Sequence, residues 1–137
     1  MLRKLDSLAV RIEKPAYAAF RIVVGGMFCV HGMQKIFGWV GSAGQPPVGS
    51  QLWVGGIIEL VCGALVAIGF FTRPAAFLAC GTMAVAYFQF HWKLDMHGWN
   101  WIPVVNKGET AVLYCFAFLF IFAIGHGIAS VDARRRR

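Results

Sequence analysis

The sequence predicts an all-α membrane protein: a single domain over residues 1–137, built as an antiparallel bundle of four transmembrane helices with both termini in the cytoplasm. Three observations carry that expectation. Of 137 residues, 58% are apolar and only 14% charged, where a soluble domain has about 25% charged, and the mean hydropathy is +0.64. Four apolar stretches, about 17–36, 52–71, 74–92 and 109–128, each reach the roughly 20 residues that cross about 30 Å of hydrocarbon. When these stretches are threaded in turn, Arg3, Lys4, Arg11, Lys14, Arg21, Arg73 and Arg134 to Arg137 fall on one side and only Lys35, Lys93 and Lys107 on the other. That bias puts the termini in the cytoplasm of an inner membrane. The net charge of +7 sits at chain ends beside apolar runs, so it reads against a lipid bilayer and not against nucleic acid. No segment alternates apolar and polar residues, and a barrel needs at least about eight such strands.

Residues 1–16 place Leu2, Leu5, Leu8 and Ile12 at three- and four-residue spacing among basic residues, the pattern of a short amphipathic helix on the inner surface. The first span follows. It resembles a secretory signal, with Gly41-Ser42-Ala43-Gly44 as a cleavage look-alike, but Arg21 and Lys35 bracket it and three spans follow, so it is read as uncleaved. Residues 37–51 form a Gly- and Pro-rich outer loop. In the second span Gly55, Glu59, Cys62, Val66 and Gly69 share one helical stripe, with Gly56 and Gly63 alongside; Gly25, Gly26 and Gly32 serve the first span similarly. Small residues matter because helices associate in lipid by close approach and polar contact, not by hydrophobic burial. The short link Phe71-Thr72-Arg73-Pro74 is a tight turn that makes the second and third spans antiparallel neighbours, with Pro74 in the first turn of the third helix. The third span offers Ala75, Ala76, Ala79, Cys80 and Met83 and ends at His91, and a second long loop, 93–108, carries Asp95, His97, Trp99, Trp101 and Pro103. The fourth span opens with Glu109 and carries His126, and residues 129–137 form a cytoplasmic end. Trp39, Trp53, Trp92, Trp99 and Trp101 all lie at the outer side, as an interfacial aromatic belt.

An ionisable side chain inside a bilayer costs about 2.5–3.5 kcal/mol on insertion scales and marks a candidate site. Sorted by depth, His31, Glu59, His91 and Glu109 all reach the outer half of the bundle, and Gln34 and Lys35 extend the His31 face outward. Glu59, His31 and Glu109 are therefore candidate catalytic groups, with Lys35, Gln34 and His91 lining their pocket. Three readings stay open: a metal site of imidazole and carboxylate ligands, a pocket that handles protons or a quinone, or pairing of Glu59 with Lys35 for structure alone. No Glu-x-x-His or His-x-x-x-His pair is present, so no metal is assigned. Near the inner surface, Arg21, Arg73 and Asp132 read as structural, Arg21 snorkelling to the headgroups and Asp132 pairing with either arginine. The terminal arginines read as a topology anchor in contact with anionic lipid. Cys29, Cys62, Cys80 and Cys115, one per span and none in the outer loops, read as buried thiols and not as disulfides.

Arg21, His31-Gly32-x-x-Lys35, Gly56-x-x-Glu59-Leu60-x-x-Gly63, Gly69-Phe70-x-Thr72-Arg73-x-Ala75-Ala76, Met83-x-x-Ala86, His91, Lys107-Gly108-Glu109 and Gly125-x-Gly127-x-x-Ser130-x-Asp132 together resemble the DoxX family of small membrane proteins, from about residue 16 to 132. The resemblance implies a four-helix membrane protein, in a family that includes a subunit associated with thiosulfate:quinone oxidoreductase and relatives linked to membrane redox complexes. The leading expectation is an integral-membrane redox component linked to the quinone pool, with quinone as the implied ligand, Glu59 relaying protons and His31 bonding a quinone carbonyl. No flavin or haem motif occurs, so such a component needs a soluble or membrane redox partner. The alternatives are a non-catalytic scaffold that recruits a soluble oxidoreductase and a small transporter, which would require a homo-oligomer.

Overall fold

The computed structural model describes residues 1–41 and 44–135. Ser42 and Ala43 of the cleavage look-alike and the last two arginines lie outside the described residues. The chain forms α1 (Leu2–Phe37), α2 (Gln51–Ile68), α3 (Thr72–Ala86) with a π-helical continuation (Tyr87–Trp92), the single turn α4 (Pro103–Asn106), α5 (Glu109–Ile124) and α6 (Val131–Arg135). No strand occurs among the described residues. Two helices, α1 and α2, are long and apolar enough to cross a membrane; α5 is apolar but has 16 residues.

The separate amphipathic helix expected over residues 1–16 is instead the beginning of α1, a continuous helix of 36 residues. At about 1.5 Å per residue it is far longer than the hydrocarbon core is thick. Pro15 lies inside it; its missing N–H and its ring disturb a helix interior, but Arg3 to Ala16 are all exposed, so the freed carbonyl can meet water. The second and fourth spans are shorter than expected, and glycine is the reason. Gly69, at φ 71°, ψ 44°, ends α2 in the left-handed region, which glycine enters without a Cβ clash. Gly125, at φ 92°, ψ −151°, ends α5 in a region open essentially to glycine alone.

Helices α1 and α2 are antiparallel and meet backbone to backbone. A Cβ on Gly32 would stand 2.3 Å from the Leu60 amide nitrogen, one on Gly63 2.4 Å from the Cys29 nitrogen, and one on Gly25 2.6 Å from the Ala67 nitrogen. The contact face thus runs through Gly25 and Gly32 on α1 and Gly56 and Gly63 on α2. Gly26 and Gly55 have open space around them and take no part. The second intimate pair is α3 with α5: Ala75, Ala76, Ala79 and Met83 pack with Ala111, Tyr114, Phe118 and Ile121, and Phe28 and Val66 join the pairs into one core.

Where the α2–α3 turn meets the chain's last residues, three charged side chains bind helix ends. Arg21 is fully buried, contrary to the snorkelling expectation. Its guanidinium donates to the carbonyls of Val66 at 2.6 Å and Ala67 at 2.7 Å on the last turn of α2, and to Ala129 at 2.8 Å. The partial negative charge at the C-terminus of a helix, together with these carbonyls, takes the place of an acidic partner. Arg73 does the same for α5, donating to the Phe122 carbonyl at 3.1 Å and to that of Ile124 at 3.4 Å. Asp132 pairs with neither arginine. Phe71 offers no side-chain cap for α3, and Asp132 supplies one from a distance, accepting from Phe71 N at 3.2 Å, Thr72 N at 3.1 Å and Thr72 Oγ1 at 3.0 Å. Partial burial pushes the Asp132 carboxyl up, but these hydrogen bonds and nearby His126 outweigh it and hold it below the ordinary carboxylate value.

Two expectations follow. Gly63→Ala, and separately Gly32→Ala, forces backbone apart and should lower stability by about 1–3 kcal/mol, whereas Gly26→Ala should leave the thermal midpoint in detergent unchanged; equal midpoints for all three proteins would contradict the packing. A depressed folded pKa stabilises above the unfolded pKa of about 3.9 and loses that contribution as pH falls through the folded value. Asp132→Ala should therefore cost about 1–2 kcal/mol at pH 7, with the gap from the parent closing in melts below about pH 4; a gap that persists there would refute the assignment.

Candidate functional site

The glycine contact between α1 and α2 also builds the polar site. A Cβ on Gly56 would stand 2.8 Å from the Lys35 Cβ, so the lysine stem lies against the α2 backbone. Its Nζ reaches the Glu59 Oε1 at 2.5 Å, roughly one helical turn further along. Glu59 is 3% exposed and Lys35 34%, so the carboxylate is buried and the ammonium reaches outward. The second carboxylate oxygen, Glu59 Oε2, is buried and has no hydrogen-bond partner. Buried polar atoms are seldom left so, and an unmade bond to a charged group costs more than a neutral one.

Glu59 and Lys35 both line a groove of about 350 Å³ between α2 and α3. Its remaining walls are almost entirely apolar, with Leu52 and Ile58 from α2 and Phe77, Leu78 and Phe90 from α3 and its continuation. Gln51 also lines it and is hydrogen-bonded to Gln89 across the two helices. The site is therefore a greasy slot whose polar lining residues are Glu59, Lys35, Gln51 and Thr82, the last with its hydroxyl bonded to the Leu78 carbonyl, suited to a ligand with a small polar head and an apolar body.

The other expected members lie elsewhere. His31 does not line the groove; its ring stands edge-on to that of Tyr114 with centroids 5.9 Å apart. Gln34 donates to the Val40 carbonyl at 2.8 Å and ties down the loop after α1. His91 is half-buried, with Nδ1 3.3 Å from the Asn106 carbonyl oxygen, and braces the π-helical segment against α4. Glu109 is exposed at the first position of α5, a favourable place for an acid, and does not join Glu59. Shared depth brought these residues together on paper, but depth says nothing of which way a helix is turned. Among the described residues, no three His, Cys, Asp or Glu side chains converge as a metal site. All four cysteines are free, and the Cys80 and Cys115 sulfurs touch at 3.7 Å across α3 and α5.

Tyr114 was not singled out from the sequence. It is buried among Phe28, Phe118 and His31, and its hydroxyl has no partner. The signal was available: a tyrosine in the middle of an apolar span carries a hydroxyl that must be satisfied somewhere.

Long apolar helices with glycine contacts, and a half-buried ion pair where α1 meets α2, are those of a helical membrane protein with a polar site between its helices. The chain belongs to the DoxX family, whose family model matches residues 16–92. It is 39% identical over 127 residues to an uncharacterized protein of Haemophilus influenzae, covering 87% of this chain and 90% of the relative. It is 29% identical over 124 residues to the inner membrane protein YphA of Escherichia coli, covering 83% and 86%. No solved structure matches it.

Proposed function

We propose that this protein is an inner-membrane component of a redox system linked to the quinone pool, binding a quinone in the groove between α2 and α3. In this reading α1, α2, α3 with its π-helical continuation, and α5 are four spans with both termini cytoplasmic. The observation that carries the proposal is Glu59 Oε2, a buried acceptor without a partner on a residue that lines an apolar groove. A quinone with its quinol fits such a place: it is a small ring on a hydrocarbon tail whose reduced form carries hydroxyls that donate to Oε2 and whose oxidised form carries carbonyls that accept from Lys35. When bound, it supplies two-electron, two-proton redox chemistry. Lys35 offers donors to a carbonyl, Glu59 holds or passes a proton at Oε2, and the apolar walls exclude water and accept the tail. The role first expected of His31 thus passes to Lys35. The electrons come from a partner protein, since the chain carries no flavin or haem motif. In the DoxX family a thiosulfate:quinone oxidoreductase subunit would be one such arrangement.

Tryptophan fluorescence of the purified protein in detergent should be quenched saturably by a short-tailed ubiquinone analogue. Glu59→Gln should weaken binding of the reduced, quinol form about tenfold or more, from the loss of the charge-assisted hydrogen bond that a quinol hydroxyl donates to Oε2, worth about 1.5–3 kcal/mol. Absence of saturable quenching, or an unchanged quinol affinity in Glu59→Gln, would overturn the proposal. If a soluble oxidoreductase co-purifies in fixed ratio and its activity ignores Glu59→Gln, the chain is a scaffold instead.

A further inference from the structure

A second and larger groove, of about 1010 Å³, opens at the opposite end of the molecule. It exists because two neighbouring elements end at different levels. Helix α5 stops at Ile124 and the chain turns aside through Gly125 to Ser130, whereas α1 runs on for its first four turns. The walls divide by chemistry. Phe20 of α1 and Phe120 and Ile124 of α5 form an apolar side and are 37%, 50% and 52% exposed. Lys14 of α1 and Arg134 of α6 bring two cations to the same groove, with Glu13 the one acid lining it. Its base is firmly built: the Tyr17 hydroxyl donates to the Gly125 carbonyl, and Ser130 Oγ donates to that of Gly127 at 2.9 Å.

We infer that this groove binds an anionic glycerophospholipid, the phosphate between Lys14 and Arg134 and an acyl chain along Phe20, Phe120 and Ile124. Charge and shape select this occupant. A second copy of the chain would bring Lys14 and Arg134 against the same cations, and like charges at close quarters oppose that association. A free anion would engage the two cations alone and make no use of the aromatic wall. A lipid satisfies both walls at once, and a cation near a membrane surface contributes about 1 kcal/mol to holding an anionic headgroup. The inference is independent of the quinone reading, because it uses neither Glu59 nor Lys35.

The test uses native mass spectrometry of the full chain in a mild detergent, offered phosphatidylglycerol or phosphatidylcholine with identical acyl chains. Phosphatidylglycerol should be retained preferentially. Lys14→Gln and Arg134→Gln should each reduce that retention about fivefold, and Glu13→Gln should raise it. All three residues are exposed, so the variants should fold as the parent does. Equal retention of the two lipids, indifference to Lys14→Gln and Arg134→Gln, reduced retention in Glu13→Gln, or displacement of the lipid by excess inorganic phosphate would each overturn the inference.

Discussion

The structure depends on the approach of α1 to α2 at backbone distance. In hydrocarbon, apolar surface gains nothing by leaving lipid for protein, so two helices need dispersion contact and polar bonds to stay together. Gly25 and Gly32 facing Gly63 and Gly56 remove the side chains that would hold the helices apart. The same approach lays the Lys35 stem on Gly56 and so carries its ammonium to Glu59. Packing and site are one arrangement: without the glycines Lys35 would stand off from α2 and the buried carboxylate would lose its cation.

The opposite end obeys a different constraint. The last carbonyls of a helix and the first amides of the next lack partners within their own helices, and lipid supplies none. Arg21 serves the end of α2, Arg73 the end of α5, and Asp132 the start of α3. Each charged group comes from a different element than the one it caps, so these contacts lock the tertiary arrangement as well as the local turn. Gly69 belongs to the same assembly: a Cβ there would stand 2.3 Å from the Ser130 Cβ and 2.8 Å from an Arg21 nitrogen. Glycine is thus required at this turn both for its backbone angles and for its missing side chain.

Much of the fold was legible from residue types alone. The helical class follows from apolar runs without alternation and the importance of small residues from their density; the α2–α3 turn, expected at Phe71 to Pro74, lies a little earlier, at Gly69 to Phe71, because α3 already begins at Thr72. The site was legible in part. Glu59 and Lys35 stood out because charge inside an apolar stretch is costly, and the structure pairs them. His31, Gln34, His91 and Glu109 were grouped with them by depth, yet each is directed elsewhere by its helix's rotation and by a local partner, such as Val40 for Gln34 and Asn106 for His91. Arg21 was misjudged for a related reason: a cation one turn inside a span can reach headgroups or a helix end, and only the position of α2 and of residues 128–129 decides between them.

The sequence by itself determined the solvent this chain is built for, its helical class, the place of its main turn and the presence of an acid and a base that cannot lie unpaired in hydrocarbon. Those properties follow from residue chemistry and from one-dimensional spacing. Tertiary structure decided which glycines touch and which stand open, that Arg21 caps α2, that Tyr114 is buried with its hydroxyl free, and that grooves lie between α2 and α3 and beside the end of α5. These depend on the rotation and relative level of helices. In α5, apolar on every side, the periodicity that usually reports a helix's buried face is nearly flat, and only packing reveals it.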